Sequence, residues 1–276
     1  MEAQKETMRT GISTACLYPM EIEKSLDLLL SMDFRLFELF INTSSELDPA
    51  FVRMLRTRLE ETGAQVKSLH PFTSGFEGTL FFSEYLRRVE DGLEFYKRYF
   101  EAAGMLGAKL LVLHGQRGYR EGKITEEEYL ERYLRLYRLG QRFGIAVAQE
   151  NVNQFRSEDP EFIARMRGQL GEECAFVFDI KQAVRAGKDP FAMCRAMGER
   201  LIHVHINDNA PGADCLLPGC GTMAYEKLLD LLRDSSYAGD LIIEVYRKNF
   251  GEPHELFAAR ERVESLCRSF SERVSG

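Results

Sequence analysis

The chain has 276 residues, 45% of them apolar, which suffices for a sizeable core; an α/β barrel of about 250 residues would take it up as one domain, 1–276. A formal net charge of -7 speaks against a broad nucleic-acid-binding face, because phosphate backbones demand an excess of Lys and Arg. No run nears the roughly 18 apolar residues of a membrane span.

The polar start, Met1 through Arg9, does not read as a signal peptide. Eight strand candidates follow, around 10–16, 36–41, 66–70, 110–114, 145–150, 175–179, 201–206 and 241–245. Short and rich in Val, Ile, Leu and Phe, they read as parallel strands buried on both faces. Amphipathic helical patterns separate them: Ile22, Leu26, Leu29 and Leu30 share one face, as do Leu130, Tyr133, Leu134 and Tyr137. Helix starts are marked by Asp48-Pro49, Asp159-Pro160 and Asp189-Pro190, with Asp as N-cap and Pro pre-set for the first turn. Thr125 with Glu128 makes a capping box, and Gly63 and Gly144 stand where helix C-caps are expected. Two long connections, 71–82 and 115–125, leave the C-terminal ends of strands and are expected to be functional or mobile. Nothing in the composition divides the chain. Strands alternating with outer helices predict a (β/α)₈ TIM barrel, with the active site at the C-terminal strand ends. Six cysteines without paired zinc-site spacing read as reduced thiols of a cytoplasmic protein.

The last four of these runs each end in a metal-ligand residue: Glu150, Asp179, His205 and Glu244. In a barrel these become neighbours. Three carboxylates and one imidazole aimed at one point would repel and desolvate one another without a cation between them. The pattern therefore points to one divalent metal ion; the oxygen-rich set suits Mn²⁺ or Mg²⁺, with Zn²⁺ or Co²⁺ as alternatives. His70 and His114 also end strands and are expected in the mouth. His203 lies two residues before His205 on the same strand face and is read as support one layer deeper. His254 is expected at the surface, Glu38 as a polar partner facing the barrel interior, and Asp208 as a turn cap. Arg117, Arg120, Lys123, Arg156, Lys181, Arg247 and Lys248 follow strand ends. They are either solvated loop charges or a basic rim that attracts an anionic substrate, with Gly115, Gly118 and Gly122 letting the backbone approach it. Phe72, Phe76, Phe81 and Phe82 either close over the mouth or pack their loop onto the barrel.

On these residues the chain resembles the xylose isomerase-like TIM-barrel superfamily, which holds sugar isomerases, sugar epimerases, related dehydratases and endonuclease IV. The most specific pieces are Gln149-Glu150-Asn151, Phe178-Asp179, His205-Ile206-Asn207-Asp208, the segment 217–221 and Ile243-Glu244. The resemblance implies that Glu150, Asp179, His205 and Glu244 bind one divalent ion, often manganese, and that the two glutamates also move a proton. In endonuclease IV the residues matching His70 and His114 help hold a further zinc. Three departures matter. Gln182 stands where the family has a histidine, Cys220 replaces an acid, and Arg156 matches a second glutamate of ketose 3-epimerases. They count against a three-zinc endonuclease.

The expected activity is a metal-dependent isomerase or epimerase acting on a sugar, sugar phosphate or sugar-like hydroxycarbonyl compound. The ion would stabilise an enediolate while Glu150 and Glu244 serve as base and acid. His70, His114, Gln182, Arg117 and Lys181 are expected to contact substrate. A dehydratase using the same enediolate is the alternative, followed by a non-catalytic binder and an endonuclease IV-like phosphodiesterase. A small-molecule partner is expected, with neither nucleic acid nor membrane, and a homo-oligomer is left open.

Overall fold

Eight short runs close into a parallel barrel in the structure, a computed structural model that describes residues 8–118 and 124–275. The strands are β1 (Thr10–Ser13), β2 (Leu36–Phe40), β3 (Gln65–His70), β4 (Leu110–Leu113), β5 (Ala146–Glu150), β6 (Phe176–Asp179), β7 (Leu201–Ile206) and β10 (Leu241–Ile243). They follow one another around the barrel, and β10 pairs with β1 to close it. A two-stranded antiparallel ribbon, β8 (Asp208–Ala210) and β9 (Ala213–Leu216), stands between β7 and β10; its strands are too short for the sequence pattern to disclose.

The helices are α1 (Ile22–Ser31), α2 (Pro49–Thr62), α3 (Glu77–Leu80), α4 (Leu86–Leu106), α5 (Glu126–Arg142), α6 (Pro160–Leu170), α7 (Ile180–Arg185), α8 (Pro190–Met197), α9 (Tyr225–Asp234) and α10 (His254–Ser275). Their apolar faces cover the barrel. In α5, Tyr129, Leu130, Tyr133 and Leu136 are buried, each large side chain removed from water contributing roughly 1.5–3 kcal/mol. Strand residues are buried on both faces, as in Leu110–Leu113, where all four are buried. None of the helices is long and apolar enough to cross a membrane, among the described residues.

The punctuation works largely as read. Asp159 and Asp189 cap α6 and α8 by accepting the N–H of Glu161 and Phe191. The Thr125/Glu128 capping box opens α5, and Gly63 ends α2 in the left-handed conformation. Asp48 precedes α2 without capping it, its carboxylate instead lying 3.0 Å from Arg98. The helix α5 ends at Arg142 and its C-cap is Phe143, one residue ahead of Gly144. Two features set up the mouth. Register pairs Asp179 with His205 across β6 and β7, and α7 begins directly where β6 ends.

Candidate metal centre

Glu150 closes β5, Asp179 closes β6, His205 lies one residue before the end of β7, and Glu244 follows β10. Parallel pairing brings their side chains together. The Nδ1 of His205 is 3.3 Å from Glu150 Oε1, 3.6 Å from Asp179 Oδ2 and 3.2 Å from Glu244 Oε2. One donor atom from each of the four lies within 4.8 Å of the others. That spacing lets a single ion reach all four at bond lengths of roughly 2.0–2.3 Å. The donor set thus fits a divalent cation.

The shell beneath fixes these groups. Asn151 accepts the Asp179 N–H at 2.8 Å and donates to its carbonyl at 2.9 Å. Asn207 donates to Asp179 Oδ1 at 3.0 Å. On the other side of His205, Nε2 is 3.0 Å from Glu38 Oε2, which also accepts Ser68 Oγ at 2.8 Å and lies 3.2 Å from His203 Nε2. A carboxylate on one imidazole nitrogen turns the other toward the mouth. Glu38 and His203 therefore sit inside the barrel where the sequence put them; that Glu38 orients His205 was not visible from spacing.

Burial and pairing pull against each other here. Burial would lower the His205 pKa, but the charges of Glu38 and Glu244 outweigh it and hold the imidazole well above its usual range. Burial would raise Glu150, yet His114, His205 and His70 together hold it well below the carboxylate range. Glu244 is likewise lowered against burial by Lys181 and His205. For Asp179 burial wins over Lys181, and the carboxyl is pushed up to about 6.

Lys181 is the surprise of the site. Read from sequence as a rim charge, it is 2% exposed, and its Nζ bridges Asp179 Oδ2 and Glu244 Oε2. Among the described residues, the rest of the expected rim disperses. Arg117 is exposed and donates to Gln154 Oε1 at 2.8 Å, away from the pocket. Arg156 is buried, donating to Gln116 and the Ile124 carbonyl and lying over the Tyr129 and Phe162 rings. Arg247 donates to the Phe250 carbonyl, and Lys248 is exposed. Arg120, Gly122 and Lys123 lie outside the described residues.

A cavity of about 360 Å³ opens onto the cluster, and among the described residues Lys181 is the one Lys or Arg lining it. Glu150 and Glu244 face this cavity with His70, His114 and Gln182, whereas Asp179 and His205 lie beneath. His70 and His114 are 3.0 Å apart at Nε2, and His114 Nε2 is 2.8 Å from Glu150 Oε2. These three could also hold an ion, as could Glu38 with His203 and His205. Gln182 accepts the Asn153 N–H at 3.2 Å. Phe72 lines the cavity, Phe76 is exposed, and Phe81 and Phe82 pack beneath against Tyr96 and Tyr129; the last two pin the loop to the barrel. His254 is exposed. Asp208 accepts the N–H groups of Asn209, Gly219, Gly221 and Met223, the expected turn cap. A Cβ on Gly221 would come within 2.3 Å of the Asn209 carbonyl oxygen, so this crossing requires glycine.

Glu77, which the sequence did not single out, holds the loop after β3 to the end of β4. Its Oε2 accepts the N–H of both His114 and Gly115 at 2.7 Å, and Tyr96 donates to Oε1 at 2.8 Å. Burial pushes this carboxyl up to about 8, against the lowering effect of those hydrogen bonds. The folded chain thus keeps a proton that the unfolded chain releases above about 4.5, so stability should fall as pH rises from 4.5 toward 8. Glu77→Gln is neutral throughout and can still accept both N–H groups. It should stay within about 1 kcal/mol of wild type at pH 7 and flatten that slope, while Glu77→Ala, orphaning both donors, should cost about 3 kcal/mol. Urea melts of the three proteins from pH 5 to 8 measure this; equal damage in the Gln and Ala variants would show that a charged carboxylate is required.

Comparison with known proteins adds to this geometry. The family described as xylose isomerase-like TIM barrel matches residues 26–268. An uncharacterized protein of Mycobacterium leprae (strain TN) is 24% identical over 272 residues, covering 87% of this chain and 90% of its own. Among solved structures, a D-tagatose 3-epimerase-like protein superposes with a TM-score of 0.79 at 19% identity, covering 97% of this chain and 100% of that one. The IolI protein with a bound zinc atom gives 0.70 at 16% identity, covering 97% and 98%. Identities this low speak for the fold.

Proposed function

We propose that this chain, which belongs to the xylose isomerase-like TIM barrel family, is a divalent-metal-dependent isomerase or epimerase of a neutral sugar or sugar-like hydroxycarbonyl compound. One observation carries the reading: of the four candidate ligands, the two glutamates face the cavity and the other two lie beneath it. A substrate in the cavity then meets Glu150 and Glu244 together. The epimerase-like neighbour and the zinc-holding IolI support the class of reaction and of cofactor.

Glu150, Asp179, His205 and Glu244 would hold the ion, which supplies polarisation of the substrate's carbonyl and adjoining hydroxyl oxygens. Mn²⁺ or Mg²⁺ suits the three carboxylates and one imidazole, with Zn²⁺ or Co²⁺ as alternatives. Both glutamates are held ionised, so each can remove a proton from the carbon next to the carbonyl. His114 touches Glu150, and His70 touches His114; this pair stands ready to relay a proton to or from Glu150. Burial would lower His70, but Glu150 and Glu38 raise it, so of the two it is the more readily protonated. Among the described residues no Arg or Lys other than Lys181 lines the cavity, which favours an uncharged substrate over a phosphorylated one. All six cysteines are free, which fits a cytoplasmic setting, and we take 1–276 as one catalytic domain.

The test is proton exchange in D₂O. With Mn²⁺ present, a panel of neutral ketoses and aldoses should gain deuterium next to the carbonyl, faster than the corresponding phosphates and only with metal. Exchange independent of metal, or formation of an unsaturated product instead, would overturn the isomerase reading. Faster turnover of phosphates would overturn the choice of a neutral substrate alone.

A further inference from the structure

We propose that the ammonium of Lys181 and a divalent ion are alternative occupants of the same carboxylate oxygens, so that metal loading requires Lys181 to leave the Asp179–Glu244 pair. This rests on the metal-dependent reading above, and it assigns to this chain's own lysine the control of how tightly the metal is held.

Lysine is almost never fully buried unless paired, and Lys181 is 2% exposed, with Asp179 Oδ2 and Glu244 Oε2 as its partners. Those two oxygens also stand at the free face of His205, at 3.6 and 3.2 Å from Nδ1, beside Glu150 Oε1 at 3.3 Å. An ion bound by the four-residue set must draw on them. Asp179 has no spare oxygen to offer, since its Oδ1 already accepts Asn207 Nδ2 at 3.0 Å and the Gln182 N–H at 3.3 Å. The oxygen that would bind metal is thus the oxygen that holds the lysine. Two cations on one carboxylate oxygen, buried among protein groups, repel each other with less screening than in bulk water.

The fold also offers the displaced ammonium somewhere to go. Lys181 is the second residue of α7 and lines the substrate cavity together with Tyr246. Its Nζ is 5.6 Å from the Tyr246 ring centroid, close enough for the aromatic face to receive a cation. That ring is itself positioned by Arg185, which donates to its hydroxyl at 2.6 Å and is paired with Asp214 at 3.2 Å. Rotation of the four-carbon stem would carry the ammonium from the carboxylates toward Tyr246, leaving the metal in place and a positive group beside the substrate. The same displacement explains how a site with a resident cation can still be a metal site.

The experiment compares metal-stripped wild type with Lys181→Met and Lys181→Gln, titrating each with Mn²⁺ by calorimetry and chelator competition. Loss of the competing ammonium should tighten Mn²⁺ binding at least about tenfold in both variants. Unchanged or weaker affinity in correctly folded variants would overturn the proposal while leaving the metal site standing. Absence of Mn²⁺ binding in all three proteins would overturn both this proposal and the metal-dependent function. If the variants fail to fold, a crystal structure of Mn²⁺-loaded wild type decides. Lys181 Nζ should then lie beyond about 4 Å from Asp179 Oδ2 and Glu244 Oε2, and an ion bound with the lysine still bridging them would refute the exchange.

Discussion

Glu150→Gln should lower metal-dependent deuterium exchange by about 10³-fold while leaving the barrel folded. The amide cannot take a proton, and loss of a positioned base costs on the order of 10²–10⁴ in rate. The side chain also offers an oxygen to the four residues that could hold an ion, so metal affinity should fall in parallel. Two compensations should preserve the fold. The substitution removes one of three carboxylates crowded around Nδ1 of His205, and an amide of nearly equal volume keeps the packing of β5. His114, already lowered by burial against the raising effect of Glu150, simply becomes still harder to protonate. Glu244→Gln should behave alike in exchange, with a second consequence: Lys181 loses one of its two anionic partners. Metal content by elemental analysis and exchange by NMR measure the two effects separately. A Glu150→Gln protein that retains both would remove Glu150 from the site, and retained metal with lost exchange would make it a base without being a needed ligand.

The barrel and the convergence of Glu150, Asp179, His205 and Glu244 at its mouth were legible because both depend on short-range signals. Runs such as 110–113 are apolar on both faces, which only a strand covered inside and outside tolerates, and the acid or imidazole at a strand's C-terminal end is carried to the mouth by topology alone. Lys181 was misplaced for a physical reason: β6 passes into α7 without a loop, with Asp179 as the helix N-cap. The first helical turn folds the lysine back over the strand end, whereas a connecting loop would have carried it out to solvent. Arg156 was lost in the same way. Its charge suggested solvent, but the aromatic faces of Tyr129 and Phe162 and the Gln116 side chain accept the guanidinium in the interior. Glu77 gave no signal, because it opens α3, a helix of four residues too short to show a period, and it accepts backbone N–H groups 37 and 38 residues away. Periodicity reports which face of an element is buried; it does not report which buried polar groups find one another.

The support beneath His205 should prove as consequential for stability as the glutamates are for turnover. Glu38 is fully buried, and its Oε2 gathers Ser68, His203 and His205. Burial would raise its pKa, but the two imidazoles, His205 foremost, hold it well below the ordinary carboxylate range. Glu38→Ala would leave the His205 ring charged or misoriented at the barrel centre with no anion on its inner side. Removing one partner of a buried ionic pair costs about 3–5 kcal/mol, which for a chain of this size lowers the melting temperature by on the order of 10 °C. Glu38→Gln keeps the volume and one acceptor oxygen, so it should lose less stability. It should nonetheless weaken Mn²⁺ binding about 10- to 100-fold, because a neutral amide no longer orients and polarises the metal-facing imidazole. The two readouts separate two roles. If Glu38→Gln binds metal like wild type, Glu38 merely fills and neutralises the interior. If Glu38→Ala melts like wild type, the charge assigned to His205 is not carried there at all, and the imidazole is already neutral and ready to bind metal.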